Sequence, residues 1–495
     1  MSEMLELTPR AEVNERKALR INPAKTCQPV GALYAALGVH GCMPHSHGSQ
    51  GCVSFHRMFL TRHFKDPVMA STSAFTEGAS VFGGGSNLTN ACRNLFDTYD
   101  PEIIAVHTTC LSETIGDDLN SIVSAMDIPE GKHVVYCNTP SYAGSHVTGY
   151  ANMIAGFVRH LAQGGGAESG AGGADAGAGA PAATDAGAPA DAGATGAKGR
   201  GGPAARQLAL IPGFVNPGDM REMKRLAEAF GINYTMLPDT SGVLDAPMTG
   251  HFELYPKGGT SVADIIRLGD ADATIALGEV ATFAAANELR KKCGVPETML
   301  GLPIGVRATD AYVMALADFA QRDVPWTLEE ERGQLVDILI DAHPYLDGRS
   351  CALYGDADTL VGLTSAVLEM GMVPKYVFTT GPHPEMVSRC EALFEEYGLQ
   401  ESCLAKAEAD LFELHQRVIH DRVDVLLGGT FGKQIARAED IPLVRVGFPI
   451  IDRYVHSYMP IVGYRGGMRL VEMIANALMD RFDRDCAEEE FELVM

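Results

Sequence analysis

Three cysteines and one serine carry the clearest chemistry in this sequence: Cys27 in NPAKTCQPVGA, Cys52 in HGSQGC, Cys110 in HTTCLSE and Ser145 in GSHVTG. Thiolates are soft ligands that suit iron–sulfur clusters, and at such long separations they can serve one cluster only if the fold carries each to the same edge. Spacing alone leaves two readings open. The cysteines either converge on a cluster or are buried separately as small hydrophobes. Ser145 could equally cap the helix that follows it.

The surrounding patterns say how these residues would be positioned. CVSFHRMFLTRHF sets Phe55, Met58, Phe59 and Arg62 at helical spacing, so Cys52 falls at or just before a helix N-terminus, where the dipole and free N–H groups favour a thiolate. The apolar run Ile103 to Val106 predicts a strand ending at His107, with Cys110 on the crossover that follows. Val134 to Cys137 predicts a second strand, then a loop with Ser145 and a helix. Open α/β sheets bind ligands outside the carboxyl ends of their strands, and both residues are aimed there. GALYAALG, Gly31 to Gly38, predicts a short helix opened by Pro29, whereas the Gly, Pro, His and Ser of His40 to Gly51 predict a loop.

Strand and helix patterns then alternate from QLALIPGF to LVRVGFPI, which indicates an α/β protein of three doubly wound, Rossmann-like parallel-sheet domains. The expected division is 1–162, an N-terminal α/β domain; 207–347 and 348–450, two further α/β domains; and 451–495, a C-terminal helix and acidic tail packing back on the core. Between the first two, 163–206 is almost entirely Gly, Ala, Pro and Asp, too poor in apolar surface to offset its ordering entropy, and is expected to be a disordered insertion.

At 495 residues the chain should form roughly two to four domains. A net charge of −24 argues against nucleic acid, whose phosphates require clustered Lys and Arg. There is no secretory leader pattern and no apolar run long enough for a bilayer, so a cytoplasmic protein with no membrane partner is expected. Eleven cysteines, an odd number, then speak against a disulfide framework. Cys92, Cys293, Cys390 and Cys486 lie in helical patterns or at helix ends and are expected to be buried.

Other constellations are weaker. His45 and His47 near Cys42 suggest zinc, but no second ligand pair follows at finger spacing, and His47 is expected to orient a loop. GGTFGKQ, Gly428 to Gln434, imitates a phosphate loop with the wrong glycine spacing, and VFGGGSN reads as a turn. ATP or NAD binding by this chain is therefore not expected.

NPAKTCQPVGA, HGSQGC, RHFKDPV, TEGASVFGGG, HTTCLSE, PSYAGSHVTG, ERGQLVD and GFPIIDRY resemble the beta chains of nitrogenase molybdenum–iron proteins over nearly the whole sequence, the insertion excepted. That resemblance implies that Cys27, Cys52 and Cys110 are beta-side ligands of the 8Fe-7S P-cluster shared with the alpha chain. Ser145 matches the serine that binds iron when the cluster is oxidised; a hydroxyl is harder and more basic than a thiolate, so it should engage reversibly with loss of a proton. Cys42 matches no ligand. Phe82 matches an aromatic where the iron protein docks, although by itself it reads as a core residue. Asp337 and Asp341, four apart on one helix face, resemble with Asp66 a cation site between two beta chains. A solvated acidic face is the alternative for them, and some relatives carry Glu where Asp66 stands.

The resemblance further implies an alpha2beta2 tetramer containing a second beta chain, with MgATP on the iron protein and the molybdenum–iron cofactor in the alpha chain. The complex would reduce dinitrogen to ammonia, this chain relaying electrons through the P-cluster with no catalytic residue of its own. Two alternatives remain: the beta chain of a vanadium or iron-only nitrogenase, and a cofactor-assembly scaffold without turnover.

Overall fold

The computed structural model describes residues 20–164, 206–251 and 253–491, together with the isolated position 13. Most of the insertion expected at 163–206 lies outside the described residues.

The first sheet is built from α1 (Gln28–Leu37), β1 (Cys42–His47), α2 (Gln50–Phe64), β2 (Ser71–Thr72), α3 (Glu77–Phe82), α4 (Gly85–Tyr99), β3 (Ile103–Thr108), α5 (Cys110–Ile115), α6 (Leu119–Ser124), β4 (His133–Cys137) and α7 (His146–Leu161). Its strands run parallel in the order β2-β1-β3-β4. The second sheet takes β5 (Gln207–Ile211), α8 (Pro217–Ala229), β6 (Asn233–Met236), α9 (Val262–Arg267), β7 (Ala273–Leu277), α10 (Glu279–Cys293) and β8 (Glu297–Leu300), in the order β6-β5-β7-β8. Two helices, α11 (Gly305–Ala320) and α12 (Trp326–Leu346), lead to the third. That sheet comprises β9 (Ser350–Tyr354), α13 (Ala357–Glu369), β10 (Val373–Phe378), α14 (Pro384–Glu396), β11 (Leu404–Lys406), α15 (Leu411–His420), β12 (Val425–Gly428), α16 (Lys433–Ala438) and β13 (Leu443–Arg445), ordered β11-β10-β9-β12-β13.

Each order reverses direction once, which is the doubly wound pattern expected from the alternation. In the first sheet the reversal lies between β1 and β3, with Cys52 and Cys110 following these two strands.

The stretch His40 to Gly51, expected to be a loop, instead contains β1, a fully buried internal strand paired to β2 and β3. Its polar residues misled the reading because they are satisfied inside the protein: His45 contacts Ser71 Oγ at 2.9 Å and Ser73 Oγ at 2.8 Å, and Ser46 Oγ lies 2.7 Å from His107 Nε2. A polar strand can be buried when its side chains are paired.

Every residue of α1 is buried, so this helix has no solvent face. It runs through a core drawn from all three sheets, where Tyr34 stacks on Phe64 at 5.2 Å and meets Phe214 edge-on at 5.3 Å. The last helix, α17 (Gly463–Asp485), packs on α8, α11 and α12, anchored by Tyr464 Oη donating to Asp310 at 2.7 Å. Among the described residues, no helix is long and apolar enough to cross a membrane.

Candidate metal-cluster site

The site is assembled at the carboxyl edge of the first sheet. Cys52 lies in the first turn of α2, and Ser49, the residue before that helix, donates its hydroxyl to Cys52 Sγ at 3.5 Å. Cys110 is the first residue of α5, directly after β3, and is exposed. The turns preceding α2 and α5 are pressed together: Thr109 N–H donates to the His47 carbonyl at 3.2 Å and Ser112 Oγ to the same carbonyl at 2.8 Å. Gly48 is needed there, because a Cβ would stand 1.9 Å from Thr109 Oγ1.

Ser145 caps α7 after β4, its backbone N–H donating to Thr148 Oγ1 at 3.2 Å. Ser145 thus occupies the N-cap position open to it in the sequence, in a capping box with Thr148. Cys27 is brought in differently, by α1 crossing α7 at close range. Gly149 permits this approach, since a Cβ on it would lie 1.8 Å from the Gln28 carbonyl oxygen. Beyond the crossing, the loop before Ser145 is clamped from the Cys27 side: Lys25 Nζ donates to the Gly144 carbonyl at 2.8 Å and Gln28 Nε2 to the Ala143 carbonyl at 3.0 Å. Gly144 takes φ +60 in this loop, a conformation that suits glycine.

Burial pushes the Cys27 thiol up to about 11; the nearby Cys52 sulfur adds to the rise, while the Val30 backbone and the Ser141 hydroxyl, which hydrogen-bond the sulfur, oppose it. The repulsion between them puts the Cys27 and Cys52 sulfurs near each other. Among the described residues, no three His, Cys, Asp or Glu side chains form a closed metal-binding group. What this chain presents is one-sided: two half-buried thiols and an exposed one, beside a buried serine. Soft sulfur donors on an open edge fit an iron–sulfur cluster completed from outside the chain.

Sequence reasoning passed over Lys25, Gln28, Ser49 and Ser141. Ser49 was within reach, being three residues before Cys52 at a helix start. The others contact a segment more than a hundred residues away and have no local signal.

The remaining candidates separate clearly. Cys42 opens β1 at the opposite, amino end of the strand, buried, with its thiol pushed well up by desolvation. His47 contacts Ser73 Oγ at 2.8 Å and Asp117 Oδ2 at 3.0 Å, and burial holds His45 down at about 3, so both rings are occupied by structural hydrogen bonds. In GGTFGKQ, Gly428 and Gly432 make room for the Tyr354 ring, whose hydroxyl would lie 2.1 Å from a Cβ on Gly432. Cys92 and Cys390 are buried as expected, but Cys293 and Cys486, both at helix ends, are only half-buried.

Phe82 ends α3 and is 90% exposed, which removes the core reading that its residue type suggested. Val81 beside it is 73% exposed, so the two form an apolar tip. Asp337 and Asp341 lie on an exposed face of α12, whereas Asp66 follows α2 and is half-buried with its carboxyl raised by desolvation and by Asp245. The three are not gathered into a metal-binding group within one chain.

Residues 27–479 match the family model of nitrogenase component 1 type oxidoreductases. The chain is 52% identical to the nitrogenase molybdenum–iron protein beta chain of Clostridium pasteurianum, across 99% of this chain and all of that one (100%). It is 38% identical to the Frankia alni beta chain, covering 97% of this chain and 86% of the relative, and 33% identical to that of Azotobacter vinelandii, covering 95% and 86%. The solved structure described as nitrogenase Cp1 at pH 6.5 superposes with a TM-score of 0.90 at 52% identity, over 99% of this chain and 100% of that chain.

Proposed function

The chain belongs to the nitrogenase component 1 type oxidoreductase family, with molybdenum–iron protein beta chains as its relatives, and from that premise we propose that it holds half of a P-cluster in an electron-relaying complex. As a nitrogenase subunit it is part of an oxidoreductase that works with an alpha partner. In the proposed complex, alpha2beta2, the alpha chain completes the cluster and carries the molybdenum–iron cofactor, and the iron protein supplies electrons with MgATP.

The observation that supports this reading is the placement of Cys52 and Cys110 on either side of the switch point between β1 and β3, with Cys27 and Ser145 delivered to the same edge. When bound, the cluster would store and pass electrons. The chain's own residues provide position and exclusion of water: Cys27, Cys52 and Cys110 would hold iron from one side, and α1, fully buried, backs the site. Ser145 would have to exchange its helix-capping role for metal binding, giving up its hydroxyl proton. Phe82 and Val81, standing out from the surface near the same sheet edge, would contact the iron protein. Asp66, Asp337 and Asp341 would serve a cation only if a second beta chain brought complementary halves together.

The test is purification with the alpha chain, iron counting, and acetylene or dinitrogen reduction with iron protein. Turnover with molybdenum present is expected. Vanadium, or iron alone, in the purified complex would assign it to another nitrogenase type, and no turnover at full metal loading would make it an assembly scaffold.

A further inference from the structure

Next to Ser145 lies a histidine that the proposed relay does not use. His146 is fully buried, and it exchanges two hydrogen bonds with the residue preceding Cys27: its backbone N–H donates to the Thr26 carbonyl at 3.1 Å, and the Thr26 N–H donates to its ring Nδ1 at 3.2 Å. A ring nitrogen that accepts must carry the lone pair, so the proton of the neutral ring is on Nε2. That nitrogen lies 2.9 Å from Asp356 Oδ1, close in distance though oblique in angle, and Asp356 is 6% exposed. The ring is fixed laterally by Phe214 at 4.8 Å and Phe448 at 5.0 Å.

Asp356 follows β9, the strand at the reversal of the third sheet, and precedes α13. His146 therefore bonds the backbone beside Cys27 to the segment of Ser145, while its Nε2 faces the third sheet without a hydrogen-bond partner. We propose that His146 is a positioning residue that keeps Cys27 and Ser145 in fixed relation through its ring Nδ1, the acceptor of the Thr26 N–H. This rests on the reading of Cys27 and Ser145 as cluster ligands.

If Ser145 leaves its capping position to bind iron, its side chain must rotate while its backbone stays in place. The paired bonds between Thr26 and His146 hold that backbone, so the exchange needs only a rotation about χ1. Losing them lets the two ligand segments move independently, and the ordering they supplied must then come from the metal. His146→Gln is the discriminating variant. Its amide reaches the Nε2 position and leaves nothing at the Nδ1 position to accept the Thr26 N–H.

The experiment uses the purified complex of both chains, with three variants. His146→Asn keeps an acceptor at the Nδ1 position; His146→Phe fills the space between Phe214 and Phe448 and removes both ring nitrogens; His146→Gln reaches the Nε2 position and removes only the Nδ1 acceptor. The readouts are iron content, the EPR spectrum of the oxidised protein and the midpoint potential of the oxidation that engages Ser145. His146→Asn is expected to match wild type. His146→Phe and His146→Gln are expected to retain iron but shift the potential and broaden the oxidised-state spectrum. If His146→Gln leaves potential and spectrum unchanged, the positioning role is overturned, whether or not His146→Phe assembles. Wild-type protein without cluster iron would instead overturn the underlying ligand assignment, and with it this inference.

Discussion

Gly31 of α1 faces the His146 carbonyl so closely that a Cβ on it would stand 1.7 Å from that oxygen. The contact is backbone on backbone, so no flexible side chain can yield. Gly31→Ala must push α1 away from α7, at a cost of about 3 kcal/mol. The expected outcome is a lower unfolding temperature of the purified complex together with reduced iron content, because the same crossing delivers Cys27. An unchanged melting temperature would mean that the two helices separate without penalty.

Cys52, in the helix that follows β1, and Cys42, at the strand's amino end, provide a matched comparison. Cys52→Ala removes a thiol from the proposed cluster edge and is expected to lower iron content strongly and to alter the EPR spectrum of oxidised protein. Cys42→Ala, at a buried thiol at the amino end of the strand, is expected to leave both unchanged. Equal iron loss in the two variants would argue against the edge as the site.

Phe82 is attached to a short helix by backbone alone and spreads its ring into solvent. An exposed aromatic of this kind contributes to binding and little to stability. Phe82→Ala is expected to raise the concentration of iron protein needed for half-maximal activity by about tenfold, with no change in melting temperature. Titration of activity against iron protein checks it.

Asp219 supplies a pH dependence. It accepts N–H groups from Ile461 at 2.7 Å and Asn216 at 3.0 Å, yet burial outweighs them and holds its carboxyl up at about 6, above the ordinary 3.8. A carboxyl that binds its proton more tightly when folded stabilises the fold progressively as pH drops through 6 toward 4, and the full span is worth about 3 kcal/mol. Relative to Asp219→Asn, wild type should therefore gain stability between about pH 7.5 and about pH 4.5. Denaturant unfolding at the two values measures the difference, and a gap independent of pH would refute the assignment.

Much of the frame was legible from local pattern. Alternating strands and helices called for three parallel sheets, and β3, β4 and α1 appeared within a few residues of their expected limits, because each is marked by apolar runs and by turn or cap residues in its own segment. The carboxyl-edge positions of Cys110 and Ser145 followed from the same rule, since a crossover in a parallel sheet must begin at a strand's end. The motifs around the cysteines also identified the family.

Tertiary structure decided what depends on distant partners. It made His40 to Gly51 contain a buried strand, because Ser71, Ser73 and His107 satisfy polar groups that sequence alone would leave in water. It put Phe82 in solvent, although its hydrophobicity favours a core. Above all, it brought Cys27 to Ser145, 118 positions away in the chain, through two glycines and one imidazole. Apolar periodicity records which face of an element is buried; only packing determines which other element it meets.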